Sequence, residues 1–133
     1  MMMLALALTL APLDDGYAAC MDKAQTNGEF SACGNAMLDR REAELNRVWK
    51  ETIKALDKDA RDALVVEERL WAAYKDKSCA YLTTGFFGRD GQTVHVYTCL
   101  EGVIDQRIEY LQNIGTDGEQ EGEPDQTAHR QGA

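Results

Sequence analysis

The sequence predicts an all-α fold: a small, disulfide-stapled bundle of three main helices, with a Gly-rich loop between the second and third and a disordered acidic C-terminal tail. Three observations carry that reading. Apolar residues recur at helical steps of three, four and seven between Phe30 and Leu111. Four cysteines, Cys20, Cys33, Cys79 and Cys99, sit near the ends of those periodic stretches. Beyond Gly115 no pattern of any period appears. At 133 residues and 44% hydrophobic content the chain closes one modest core, so a second domain is not expected.

The chain opens on the apolar run Met1–Ala11, followed by Pro12, Asp14 and Asp15. The run is too short to span a bilayer and reads as the core of a signal peptide. Gly16-Tyr17-Ala18 supplies small residues at the positions a signal peptidase reads, so cleavage is expected after Ala18. The expected organisation is therefore a signal peptide over residues 1–18, a helical domain over 19–114 and a tail over 115–133. Tyr17-Ala18-Ala19-Cys20 also ends like a lipobox, which makes lipid anchoring through Cys20 the alternative. Against it, Tyr17 stands where Leu is wanted, and lipidation would leave three cysteines, an odd number.

The first helix should begin near Asn27. Thr26-Asn27-Gly28-Glu29 is a capping box, in which the Thr side chain accepts from the third helical N–H and Glu29 reaches back to the Thr N–H. Phe30, Cys33, Met37, Leu45, Val48, Trp49, Thr52, Ile53 and Leu56 mark its inner face, ending near Ala55 or Leu56. Asp57 or Asp59 can cap a second helix running to about Cys79. Its expected inward stripe is Leu64, Glu68, Trp71, Tyr74 and Ser78, supported by Val65, Ala72 and Lys75. Trp49 and Trp71 then fall on neighbouring helices and read as core anchors, not as a ligand cage.

Between Cys79 and Cys99 the composition changes: Thr83-Thr84-Gly85-Phe86-Phe87-Gly88-Arg89-Asp90-Gly91 carries three glycines, with Asp90-Gly91 a turn dipeptide. A third helix is expected from about Thr93 to Gly115, with Val96, Cys99, Leu100, Val103, Ile104, Arg107, Ile108 and Leu111 on one face. No C-x-x-C pair and no histidine pair lies near the cysteines, so neither zinc ligation nor thioredoxin-type chemistry has its spacing. Four cysteines allow three disulfide pairings. Cys20–Cys33 with Cys79–Cys99 is favoured, because each closes a short segment at a helix end.

The net charge of −9 argues against nucleic acid, which requires a basic footprint. Much of the acidity lies in the tail, where five acids stand against Arg130, so the folded body is only mildly acidic. No metal or cofactor set is visible, and no nucleophile is paired with a base: His95 and His129 are the two histidines, and Ser31 and Ser78 lie outside any motif. An enzyme is not expected. The mature chain carries neither an apolar span nor a basic amphipathic face for a membrane.

In order along the chain, Cys20, Thr26-x-x-Glu29 and Cys33 are followed by Glu42-x-x-Leu45-Asn46-x-x-Trp49. Glu68-Arg69-x-Trp71-x-x-Tyr74-Lys75-Asp76-x-x-Cys79 comes next, then Cys99-Leu100 with Arg107 and Leu111. This series resembles the LprI-like lysozyme-inhibitor N-terminal domain over roughly residues 20–111. The chain departs from the family pattern at Glu68, usually Gln, at Lys75, usually Arg, and at Trp49, where Tyr is common. The resemblance implies a bacterial exported helical domain, periplasmic, lipid-anchored or secreted, with lysozyme inhibition attributed to a founding member. It carries no mapped inhibitory site. Leu45, Asn46, Trp49, Arg69, Trp71, Tyr74, Asp76 and Arg107 read as a structural signature of packing and polar pairing. Asn46 is a candidate partner for a neighbouring helix's backbone, and Arg69 or Lys75 with Asp76 a candidate interhelical ion pair.

Two functional readings follow. In the first, the protein is an exported, non-enzymatic binding protein that inhibits a cationic lysozyme by protein–protein contact. Its contact surface would be the disulfide-closed loop with Phe86, Phe87, Arg89 and His95. Arg89 or His95 would reach the enzyme's catalytic carboxylates, and the acidic tail would speed encounter. The two phenylalanines either fold back into the core, the favoured expectation, or stand out as anchors. In the second reading the chain is an envelope structural or stress-related protein whose partner is not lysozyme.

Overall fold

The computed structural model describes residues 16–117. Along the chain these form α1 (Tyr17–Lys23), α2 (Asn27–Ala55), α3 (Lys58–Ser78), a 3-10 turn (Ala80–Thr83), the helical turn α4 (Gly88–Asp90), a π-helical turn (Gly91–His95) and α5 (Val96–Asp117). No strand occurs among the described residues. Most of the expected signal peptide and nearly all of the expected tail lie outside the described residues. At their inner ends, the expected cleavage position after Ala18 falls in the first turn of α1, and α5 continues to Asp117.

α2 begins and ends where its sequence dictates. Thr26 is extended and its Oγ1 accepts from the Glu29 N–H at 3.2 Å. The Glu29 carboxylate closes the cap one residue earlier than a capping box predicts, accepting from the Gln25 N–H at 2.6 Å. At the far end Arg61 donates from Nε to the Ile53 carbonyl and from Nη2 to the Leu56 carbonyl, both at 3.1 Å. Those are carbonyls at the C-terminus of α2 that the helix itself leaves without partners. Asp57 caps α3, its Oδ1 accepting from the Ala60 N–H at 2.9 Å.

The core is the seam between α2 and α5. Leu45 and Val48 of α2 meet Ile104, Ile108 and Leu111 of α5, with Leu64 closing the cluster from α3. Trp49 and Trp71 pack, partly buried, against this same cluster. The buried Thr52 hydroxyl shares its proton between the Val48 carbonyl at 2.9 Å and the Leu111 carbonyl at 3.2 Å, tying the two helices by a polar link. Further along, Arg41 Nε lies 3.6 Å from Asp105 and 3.9 Å from Glu101. α2 crosses α5 closely at Gly34, where an added Cβ would lie 2.3–2.6 Å from the Tyr97 ring. Gly34→Ala should therefore destabilise the fold by about 2 kcal/mol, overpacking outweighing the better helix propensity of Ala. A urea titration of the purified variant checks this, and an unchanged midpoint would contradict it.

α3 is attached more lightly. Leu64 is its buried residue, and its contact band is Leu64, Glu68, Trp71 and Lys75. Lys75 Nζ pairs with Glu42 on α2 at 3.1 Å, not with Asp76. Tyr74, expected inward, is exposed: at about 100° per residue it stands well round from Lys75, on the flank of that band. Asn46, Arg69 and Asp76 are exposed as well.

Both disulfides join the favoured partners, Cys20 with Cys33 and Cys79 with Cys99, at Cα separations of 5.7 and 6.0 Å. The first pins α1 to α2; α1 is seven residues long and has no buried residue, too short a stretch for the sequence to have predicted it. The second joins the end of α3 to the first turn of α5.

Candidate functional site: an aromatic knob on a closed loop

The segment between Cys79 and Cys99 is more helical than a plain loop. After the 3-10 turn, Gly85 takes φ 98° and Gly88 φ 67°, left-handed values that glycine adopts without strain. From Gly88 the chain runs helically through α4 and the π turn into α5, so this rod starts five residues before the expected Thr93. Asp90-Gly91 is consequently not a turn. Gly91 has helical φ −57° and ψ −46°; what requires glycine is the close approach of the 3-10 turn. A Cβ on Gly91 would lie 2.4 Å from the Leu82 carbonyl oxygen and 2.8 Å from the Phe87 Cβ. Buried Leu82 and Thr93, the latter donating to the Arg89 carbonyl at 2.8 Å, complete the packing beneath the loop.

Above that support stand the two phenylalanines. Phe86 is 88% exposed and Phe87 44% exposed, so the expectation that they fold back into the core is overturned. The space beneath them is already filled by Leu82 and the abutting helical turn at Gly91. They are not independent rotors: Phe86 meets Phe87 edge-on at 5.0 Å between ring centroids, and Phe87 meets Tyr81 edge-on at 5.7 Å. Tyr81 is a third, exposed member that sequence reasoning did not single out; its position two residues after Cys79, inside the closed segment, was the available signal. Arg89 is exposed directly after Gly88, and His95 is exposed at the far end of the π turn.

A second polar cluster sits away from the knob. Arg107 on α5 is 4% exposed, and its guanidinium makes four hydrogen bonds. It forms a bidentate pair with Glu67, one bond being 2.8 Å from Nη1, and donates from Nε to Glu68 at 3.0 Å and from Nη2 to the same oxygen. Its charge also lies 5.1 Å from the centroids of both the Trp71 and Tyr110 rings. Burial acts to lower the guanidinium's pKa, but the hydrogen bonds it donates to Glu67 and Glu68, together with the attraction of their charges, outweigh it and the value is raised. Beside this cluster runs an open groove of about 300 Å³. Arg107 and Glu67 lie on its polar wall, the Arg107 pairs with Glu67 and Glu68 clamp α3 to α5, and Trp71, Tyr74 and Tyr110 line the rest.

Among the described residues no group of three or more His, Cys, Asp and Glu side chains is placed to hold a metal ion. No helix among them is long and apolar enough to cross a membrane. The described residues form a disulfide-stapled helical protein that presents two exposed, mutually packed phenylalanine rings on the segment closed by Cys79–Cys99. Comparison with known families matches residues 20–111 to the family described as lysozyme inhibitor LprI, and the chain belongs to that family. No curated protein and no solved structure matches it.

Proposed function

We propose that this protein is exported and inhibits lysozyme by direct contact, with the Phe86–Phe87 knob as the anchor that enters the enzyme's substrate cleft. One observation carries the reading: two adjacent aromatic rings project into solvent from a support closed by a disulfide and braced by Gly91. Large aromatic side chains held rigid in advance are the usual energetic centres of protein interfaces, because little conformational freedom is lost on binding. Membership of the LprI family supplies the class of partner. Arg89, exposed beside the knob, is the residue we assign to the paired carboxylates of a lysozyme active site. Export accords with two disulfides and with the apolar run at Met1–Ala11. The acidic tail speeds encounter with a basic enzyme.

Turnover of a lysozyme in the presence of the purified, oxidised protein tests this directly. Phe86→Ala and Arg89→Ala should each raise the inhibition constant, by roughly 30-fold for a residue at the centre of the contact. Deleting residues 118–133 should mainly slow association at low salt and leave dissociation unchanged. Absence of inhibition at micromolar protein would sink the proposal and favour an envelope protein with another partner.

A further inference from the structure

α3 carries a second ordered face. Opposite the band that meets the bundle, Asp59, Ala63, Val66, Leu70, Ala73 and Lys77 follow alternating steps of four and three, the spacing of a two-helix seam, and all six are exposed. Val66 and Leu70 are the two large aliphatic side chains that stand exposed among the described residues, Leu70 at 69%. A helix face with this spacing and no partner among the described residues has the form of an interface.

We propose that the occupant is a second copy of this chain, α3 packed against α3 in antiparallel orientation. The row is its own mirror image about Glu68. Reversed upon itself, it sets Val66 against Leu70, Ala63 against Ala73 and Asp59 against Lys77. Every layer of the antiparallel pair is therefore large against large, small against small, or acid against base. A parallel pair would set Asp59 against Asp59 and Lys77 against Lys77. Neither Asp59 nor Lys77 has an ion-pair partner among the described residues, so both charges are available across the seam. The alanine layers let the two backbones come close.

The seam from Asp59 to Lys77 is about 27 Å long, and a two-helix contact of that length buries on the order of 1,000 Å² in total, at the lower end for specific association. Arg69, beside the two-fold axis, faces its own copy and weakens the pair further. The dimer is accordingly one that forms at tens to hundreds of micromolar. It would leave the knobs free, at opposite ends of the seam, since each follows the C-terminus of its own α3.

Sedimentation velocity of the full oxidised chain, from low micromolar to several hundred micromolar, tests the inference independently of anything the knob binds. The wild-type protein should shift from monomer to dimer across that range. Leu70→Glu should remain monomeric throughout, with an unchanged circular dichroism spectrum because Leu70 is exposed on its helix. Asp59→Lys and Lys77→Glu should each weaken association at least 3-fold, and combining them should restore it. A wild-type protein that stays monomeric, or a Leu70→Glu variant that still associates, overturns the dimer. A charge-reversed pair that fails to recover overturns the antiparallel register.

Discussion

Arg107→Ala is expected to lower the unfolding free energy by about 2–3 kcal/mol, more than any other substitution of a charged side chain in the protein. Removing a buried guanidinium forfeits its hydrogen bonds and leaves two carboxylates, Glu67 and Glu68, facing each other without a cation between them. It also strips the charge from the faces of Trp71 and Tyr110, rings that close the α3–α5 junction. The loss stays below that of a fully enclosed ion pair because the Glu67 and Glu68 side chains are 42% and 24% exposed and can rehydrate. Glu68→Gln isolates the charge from the contact. An amide oxygen can still accept from Arg107 Nε while Glu67 neutralises the guanidinium, so this variant should lie within about 0.5 kcal/mol of wild type. Urea unfolding of the two variants side by side reads the difference. Equal losses would mean that the second carboxylate is required, and no loss in Arg107→Ala would mean that the clamp is idle.

The clamp also shows why some of this molecule was legible in the sequence and some was not. α2 and α3 could be bounded because their start signals are local: Thr26 and Asp57 act on N–H groups three residues away. The disulfide pairing was readable because each bridge spans one short segment. Arg107, by contrast, finds Glu67 at a separation of 40 residues: the periodicity of α5 puts it on the apolar face, but nothing in that pattern names the carboxylates it meets. Gly91 was ambiguous for a different reason. A turn with positive φ and a helix pressed against a carbonyl both exclude a Cβ, and only the packing of Leu82 decides between them. Phe86 and Phe87 have the composition of core residues, and their exposure follows from a bundle whose interior is already filled by others. α1, stapled by Cys20, turns only Tyr17 and Met21 inward within seven residues, too short a run for its period to stand out, and its start overlaps the expected signal peptide.

Replacing Cys79 and Cys99 together by Ala is expected to cost roughly 3–4 kcal/mol, whereas the same change at Cys20 and Cys33 should cost less than half as much. Loop closure alone cannot produce that contrast. The bridges span 13 and 20 residues, and by chain entropy they differ by only about 0.4 kcal/mol. The difference lies in what each one holds. Cys20 retains α1, which has no buried residue and can fray while the α2–α5 core persists. Cys79 is 1% exposed and links α3, otherwise anchored chiefly through Leu64 and Arg107, to the first turn of α5. Its loss releases the 3-10 turn as well, and with it the surface on which Gly91 seats Phe87. If the proposed function holds, the Cys79/Cys99 variant should lose inhibition as well as stability at temperatures where its helix content is still near native, because the knob is no longer held in one arrangement. Thermal melts followed by far-ultraviolet circular dichroism, with inhibition assayed well below the midpoint, separate the two effects. Equal stability losses in the two double variants would contradict the unequal roles assigned to the bridges. Full inhibition by the folded Cys79/Cys99 variant would show that the closed loop does not preorganise the contact.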